Sequence, residues 1–105
     1  MGIVYLLGEF SDCGRFKIGI SKNPVNRRLK QLQTGNSNEI FIVNEYKTKH
    51  YKEVERFLHR KFYSDKALGE WFELSHEDVV NFTKTAKHYD DLVNSFIPDI
   101  TKYDI

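Results

Sequence analysis

At 105 residues, with 40% hydrophobic and 30% charged residues, the chain has the make-up of one globular domain able to build a single core. It has no apolar run of membrane-spanning length and no basic leader at its start. Its lone cysteine, Cys13, excludes an internal disulfide and a multi-cysteine zinc site, so a reducing intracellular setting is expected.

Ile3 to Leu7 is a short run of β-branched, aromatic and leucine residues and reads as a strand. Glu9 to Gly14 is a turn, and Arg15 to Ile20 alternates polar with apolar residues as the antiparallel partner. Ser21 to Asn23 read as a helix cap, with Pro24 in the first turn, where a missing N–H costs nothing. Val25, Leu29 and Leu32 then recur at helical spacing until Gly35 and Asn36 end the pattern. Ile40 to Tyr46 reads as a third strand whose apolar residues fill both faces. Lys49 to Tyr63 reads as a helix with Val54, Leu58 and Phe62 as its buried stripe and Phe57 beside them.

Ser64 to Glu70 forms a loop, and Trp71 to Leu74 a short last strand. Ser75 with Asp78 resembles a capping box opening one final helix. Along that helix Val79, Phe82, Ala86, Tyr89, Val93 and Phe96 make a stripe. It is either a docking face on the core or the seam of a homodimer. Pro98 ends the helix and a tail runs to Ile105. The expectation is one α/β domain over residues 1–105. Residues 2–75 hold a small antiparallel three-stranded sheet flanked by helices, and residues 76–105 form a C-terminal helix and tail.

The net charge is only +1, but it is unevenly spread. Lys22, Arg27, Arg28 and Lys30 cluster in one stretch, and Arg56, Arg60 and Lys61 in another, while the last third is acidic. Such a division steers a polyanion to one face, unless both stretches are simply solvated helix surfaces.

Within this frame four kinds of group come into reach of one site. Tyr5 stands on the first strand, with Lys17 and Gly19 on one face of its neighbour. Glycine at position 19 leaves room for close approach. Arg27 and Arg28 follow on a helix, and a guanidinium holds a phosphate through paired hydrogen bonds. Glu55 borders the buried stripe, and His59 lies one turn on along the same face. A carboxylate there suits one Mg²⁺ or Mn²⁺ shared with a substrate phosphate. Tyr5 or His59 is the candidate general base. Each residue also has an ordinary reading: Tyr5 as packing, the arginines as solvated, Glu55 and His59 as a surface pair, Gly19 as a bulge. Trp71 and Phe72 read as core, and His50, His76 and His88 have no ligand spacing.

Gly2-Ile3-Val4-Tyr5, Lys17-Ile18-Gly19, the arginine helix and Glu55 together resemble the GIY-YIG nuclease superfamily. The likeness is greatest to its small phage and viral branch. It runs through Lys17-Ile18-Gly19-Ile20-Ser21, Arg28 through Asn36, Glu55 with Leu58-His59, and Gly69-Glu70-Trp71-Phe72. The resemblance implies a divalent-metal-dependent endonuclease acting on nucleic acid, with DNA the expected partner. It implies that Tyr5 orients or deprotonates the attacking water, Arg28 binds the scissile phosphate and Glu55 holds the metal. His59 matches a branch position and assists. Lys17 replaces the second motif's tyrosine, which leaves the base open. Lys17 then acts on the Tyr5 phenol, contacts phosphate, or is a strand residue facing solvent. The register through Leu29 favours Arg28 as the catalytic arginine, and counting from Gly19 favours Arg27. Lys22, Arg27, Arg28 and Lys30 are the expected nucleic-acid contacts. The other readings are a GIY-YIG-like domain that binds nucleic acid without cutting it, and a small interaction protein.

Overall fold

The computed structural model describes residues 1–11, 14–66 and 71–96. The chain order is β1 (Gly2–Glu9), β2 (Phe16–Ser21), α1 (Val25–Thr34), β3 (Ile40–Thr48), α2 (Tyr51–Lys61), β4 (Trp71–Phe72), α3 (His76–Val80) and α4 (Phe82–Phe96). The strands form one antiparallel sheet in the order β3-β1-β2-β4. No helix among the described residues is long and apolar enough to cross a membrane.

β1 is central because its residues are apolar in both phases of the pleat. Val4, Tyr5, Leu6 and Leu7 are all essentially inaccessible, as expected for a strand covered on both faces. Tyr5 and Leu7 point to one side with Val25 and Ile40, and Leu29 and Leu32 of α1 pack there. Val4, Leu6 and Ile18 point to the other, against Val54, Leu58 and Phe62 and against Phe82 and Ala86. The result is a three-layer arrangement with α1 on one face and α2 and α4 on the other. A bulge between Leu6 and Leu7 inserts Val43 into β3. Ile42 therefore serves the α1 side while Val43 and Tyr46 serve the other.

Three expectations need correction. The sheet has four strands, not three: Phe72 pairs with Phe16 and Trp71 with Lys17, making β4 a short edge. The short last strand expected over Trp71 to Leu74 spans only Trp71–Phe72, and its pairing partners lie too far away in sequence to be read locally. The final helix is two helices. The capping box at Ser75 and Asp78 is formed as read, but it opens only the five-residue α3. Asn81 closes α3, and its carbonyl starts α4 by accepting from the Thr85 N–H. Asparagine is a poor interior helix residue because its side chain competes for backbone groups. Finally, helix α1 has no side-chain cap. The Ser21 hydroxyl is engaged with the Asn23 backbone, and the helix begins after Pro24.

The stripe on α4 docks on the core, with Phe82, Ala86 and Val93 buried and Phe57 stacked on Tyr89 at 5.2 Å between ring centroids. Phe96, at the end of the stripe, is 75% exposed. Gly69, Glu70, Pro98 and the tail lie outside the described residues.

A polar clasp also ties α4 to β3. Asp90 accepts from the Tyr46 hydroxyl at 2.8 Å and the Thr48 hydroxyl at 2.7 Å. Burial, then the hydrogen bond to Asp90 and the charges of Asp90 and Asp91, push the Tyr46 phenol from 10.0 up to about 12. The folded chain thus holds this proton through a range where the unfolded chain releases it. Its stabilising contribution is complete below about pH 10 and is lost as pH rises toward about 12. Tyr46→Phe should flatten that loss in urea unfolding across this window, relative to wild type. Identical slopes in the two proteins would show that Tyr46 carries none of it.

Candidate functional site

The predicted residues meet at β2. Tyr5 of β1 pairs directly with Gly19 of β2, and its ring lies over that glycine. A Cβ at position 19 would overlap the Tyr5 phenol, so glycine is required here by close approach rather than by backbone angle. Gly19→Ala should cost about 1–3 kcal/mol through overpacking. Adding Tyr5→Phe, which removes the nearest atom, should return part of it. An unchanged unfolding midpoint for Gly19→Ala would refute this contact.

Lys17, Arg28, Glu55 and His59 join Tyr5 around an open cavity of about 190 Å³, whose remaining wall is the β2 segment from Ile18 to Ile20. Arg28 comes from α1 on one face of the sheet, and Glu55 and His59 from α2 on the other. At about 100° per residue, Arg28 flanks the Val25–Leu29–Leu32 stripe, while Arg27 points away from it. Glu55 and His59 flank the Val54–Leu58 stripe in the same way. Each polar group thus sits at the rim of an apolar contact, with Glu55 and His59 half-buried there.

Lys17 is only 8% exposed, and its Nζ lies 5.9 Å from the centre of the Trp71 ring. It is therefore not a strand residue facing solvent: the two-residue strand β4 covers it. Arg28 is exposed and donates from Nη1 to Gln31 Oε1 at 3.2 Å. The His59 ring is edge-on to Phe72 at 5.1 Å, and its Nε2 lies 2.9 Å from the Ile18 carbonyl oxygen. That contact lay beyond sequence reasoning, because a backbone acceptor leaves no mark on residue type.

The other expected nucleic-acid contacts lie apart from this cavity. Arg27 and Lys30 are exposed on α1. Lys22 lines a separate, larger opening of about 420 Å³ with Pro24, Asn26 and Lys47.

Among the described residues two cations and one carboxylate line the cavity, which suits an anionic ligand such as a phosphodiester. Among the described residues no three His, Cys, Asp or Glu side chains come together to hold a metal. A resident tetrahedral zinc centre therefore has no ligand set there. A single carboxylate beside a phosphate-sized opening does fit Mg²⁺, which keeps several waters and binds through one or two carboxylates together with substrate phosphate.

Fold and site together define a small mixed α/β domain that gathers a phenol, two cations, a carboxylate and an imidazole at one strand of its sheet. The chain belongs to the T5orf172 domain family, whose model matches residues 2–87 and so includes every residue of the cavity. This domain is found in phage proteins and in some nucleases. Membership is compatible with a nuclease-like or nucleic-acid-binding role. No curated protein and no solved structure matches the chain.

Proposed function

We propose that this chain is a divalent-metal-dependent endonuclease of GIY-YIG type that hydrolyses phosphodiester bonds, with DNA as substrate. The observation that carries the reading is the convergence of Tyr5, Lys17, Arg28, Glu55 and His59 on one opening from elements on both faces of the sheet. Arg28 binds the scissile phosphate. Tyr5 orients the attacking water or, as the phenolate, takes its proton. Lys17, buried against Trp71, holds positive charge at the floor of the cavity. Glu55 holds Mg²⁺ or Mn²⁺, and the bound ion supplies charge stabilisation at the phosphate and the leaving oxygen. Lys22, Arg27 and Lys30, outside the cavity, hold the flanking backbone by charge.

The test is cleavage of supercoiled plasmid DNA by the wild-type chain with Mg²⁺ or Mn²⁺, against a chelated control. Metal-dependent nicking supports the proposal. Binding without nicking would make this a nucleic-acid-binding domain. Neither binding nor nicking would point to an interaction protein.

A further inference from the structure

Resting on the nuclease reading above, we infer that His59 is a positioning residue and not the general base: it sets the spacing between Glu55 and Tyr5 through the Ile18 carbonyl. A carbonyl oxygen can only accept, so the Nε2 that lies 2.9 Å from it must carry a proton. In the neutral ring the lone pair is then on Nδ1, the nitrogen beside Cγ and closest to the backbone of α2. The nitrogen that reaches furthest from the helix is therefore committed as a donor and is not available to accept a proton from water.

The same contact links the two halves of the site. Ile18 immediately precedes Gly19, over which the Tyr5 phenol lies, and Glu55 is one helical turn before His59. One hydrogen bond thereby ties the helix bearing the carboxylate to the strand beneath the phenol. On β2 the pairing with β4 covers Phe16 and Lys17, and the tie begins at the next residue. Phe72 of β4 meets the imidazole edge-on and holds the ring at the angle the bond needs. Outer-sphere hydrogen bonds of this kind orient the groups that do the chemistry, and their loss typically lowers metal affinity or activity about 10–100-fold.

Two measurements on the full chain decide the matter. Long-range ¹⁵N NMR of the imidazole should show the Nε2–H tautomer in the neutral ring, and an Nδ1–H tautomer would overturn the inference. In plasmid cleavage with Mn²⁺, His59→Ala should lower kcat about 10–100-fold with little change in KM. His59→Gln, whose side-chain amide can donate to Ile18 but has no basic nitrogen, should recover most of that loss and keep the wild-type pH–rate profile. If His59→Gln is as slow as His59→Ala while melting with the wild type, His59 performs chemistry itself and the inference fails. If His59→Ala cuts at the wild-type rate, the tie is irrelevant to the site and it also fails. A wild-type chain that cuts nothing ends the nuclease reading instead, and the tautomer still decides whether the tie exists.

Discussion

Glu55→Ala should reduce plasmid cleavage by about 10³-fold while leaving DNA binding intact. The reduction corresponds to about 4 kcal/mol of transition-state stabilisation, the scale expected when a metal's contribution of several kcal/mol is lost. Among the described residues Glu55 is the one carboxylate lining the cavity. Binding should follow a different rule. Affinity for a polyanion comes from neutralised phosphates, and removing a negative charge from a cationic opening subtracts nothing from that term. Fluorescence anisotropy over a range of salt should therefore give a Glu55→Ala affinity equal to or above wild type, with an unchanged salt slope. Glu55→Gln keeps the side-chain volume, and its equal loss of cleavage would attribute the effect to charge rather than packing. Cleavage by Glu55→Ala at the wild-type rate would remove Glu55 from the reaction.

How far the sequence discloses this molecule depends on how local each cause is. β1 is legible because four successive apolar residues, Val4 to Leu7, can only be satisfied by cover on both faces. The stripes of α1 and α2 are legible because helical spacing is a local property, and they carry Arg28, Glu55 and His59 to the rims where the cavity forms. That Arg28 rather than Arg27 lines the cavity was also within reach, since only Arg28 flanks the Val25–Leu29–Leu32 stripe in helical phase. β4 was harder, since its place in the sheet rests on two long-range pairs, Phe16 with Phe72 and Lys17 with Trp71. Without β4, Lys17 looks like an alternating strand residue open to solvent; with it, the ammonium is covered by an indole. The break at Asn81 was obscured because apolar spacing runs through it from Val79 to Phe82. The His59 contact with Ile18 belongs to tertiary structure alone, since any residue could supply that carbonyl.

Arg28→Ala should lower kcat by about 10²–10³-fold, the usual effect of deleting one donor aimed at developing charge. Arg27→Ala should leave kcat near wild type and act on affinity. The two side chains are adjacent in sequence, yet the helix separates them: Arg28 lines the cavity and Arg27 is exposed away from it. In the absence of substrate Arg28 donates to Gln31, a neutral exposed acceptor at 3.2 Å. A charged phosphate oxygen is the stronger acceptor, so the guanidinium exchanges one for the other at small cost. Arg28→Lys should recover binding but not rate, because an ammonium cannot place two parallel N–H bonds on one phosphate. For Arg27→Ala the expected signature is weaker binding to all sequences alike, with a salt slope lower by about 1. If Arg27→Ala stops cleavage and Arg28→Ala does not, the arginine at the cavity is not the one that binds the scissile phosphate, and the opening lined by Tyr5 and Glu55 is not where the bond is cut.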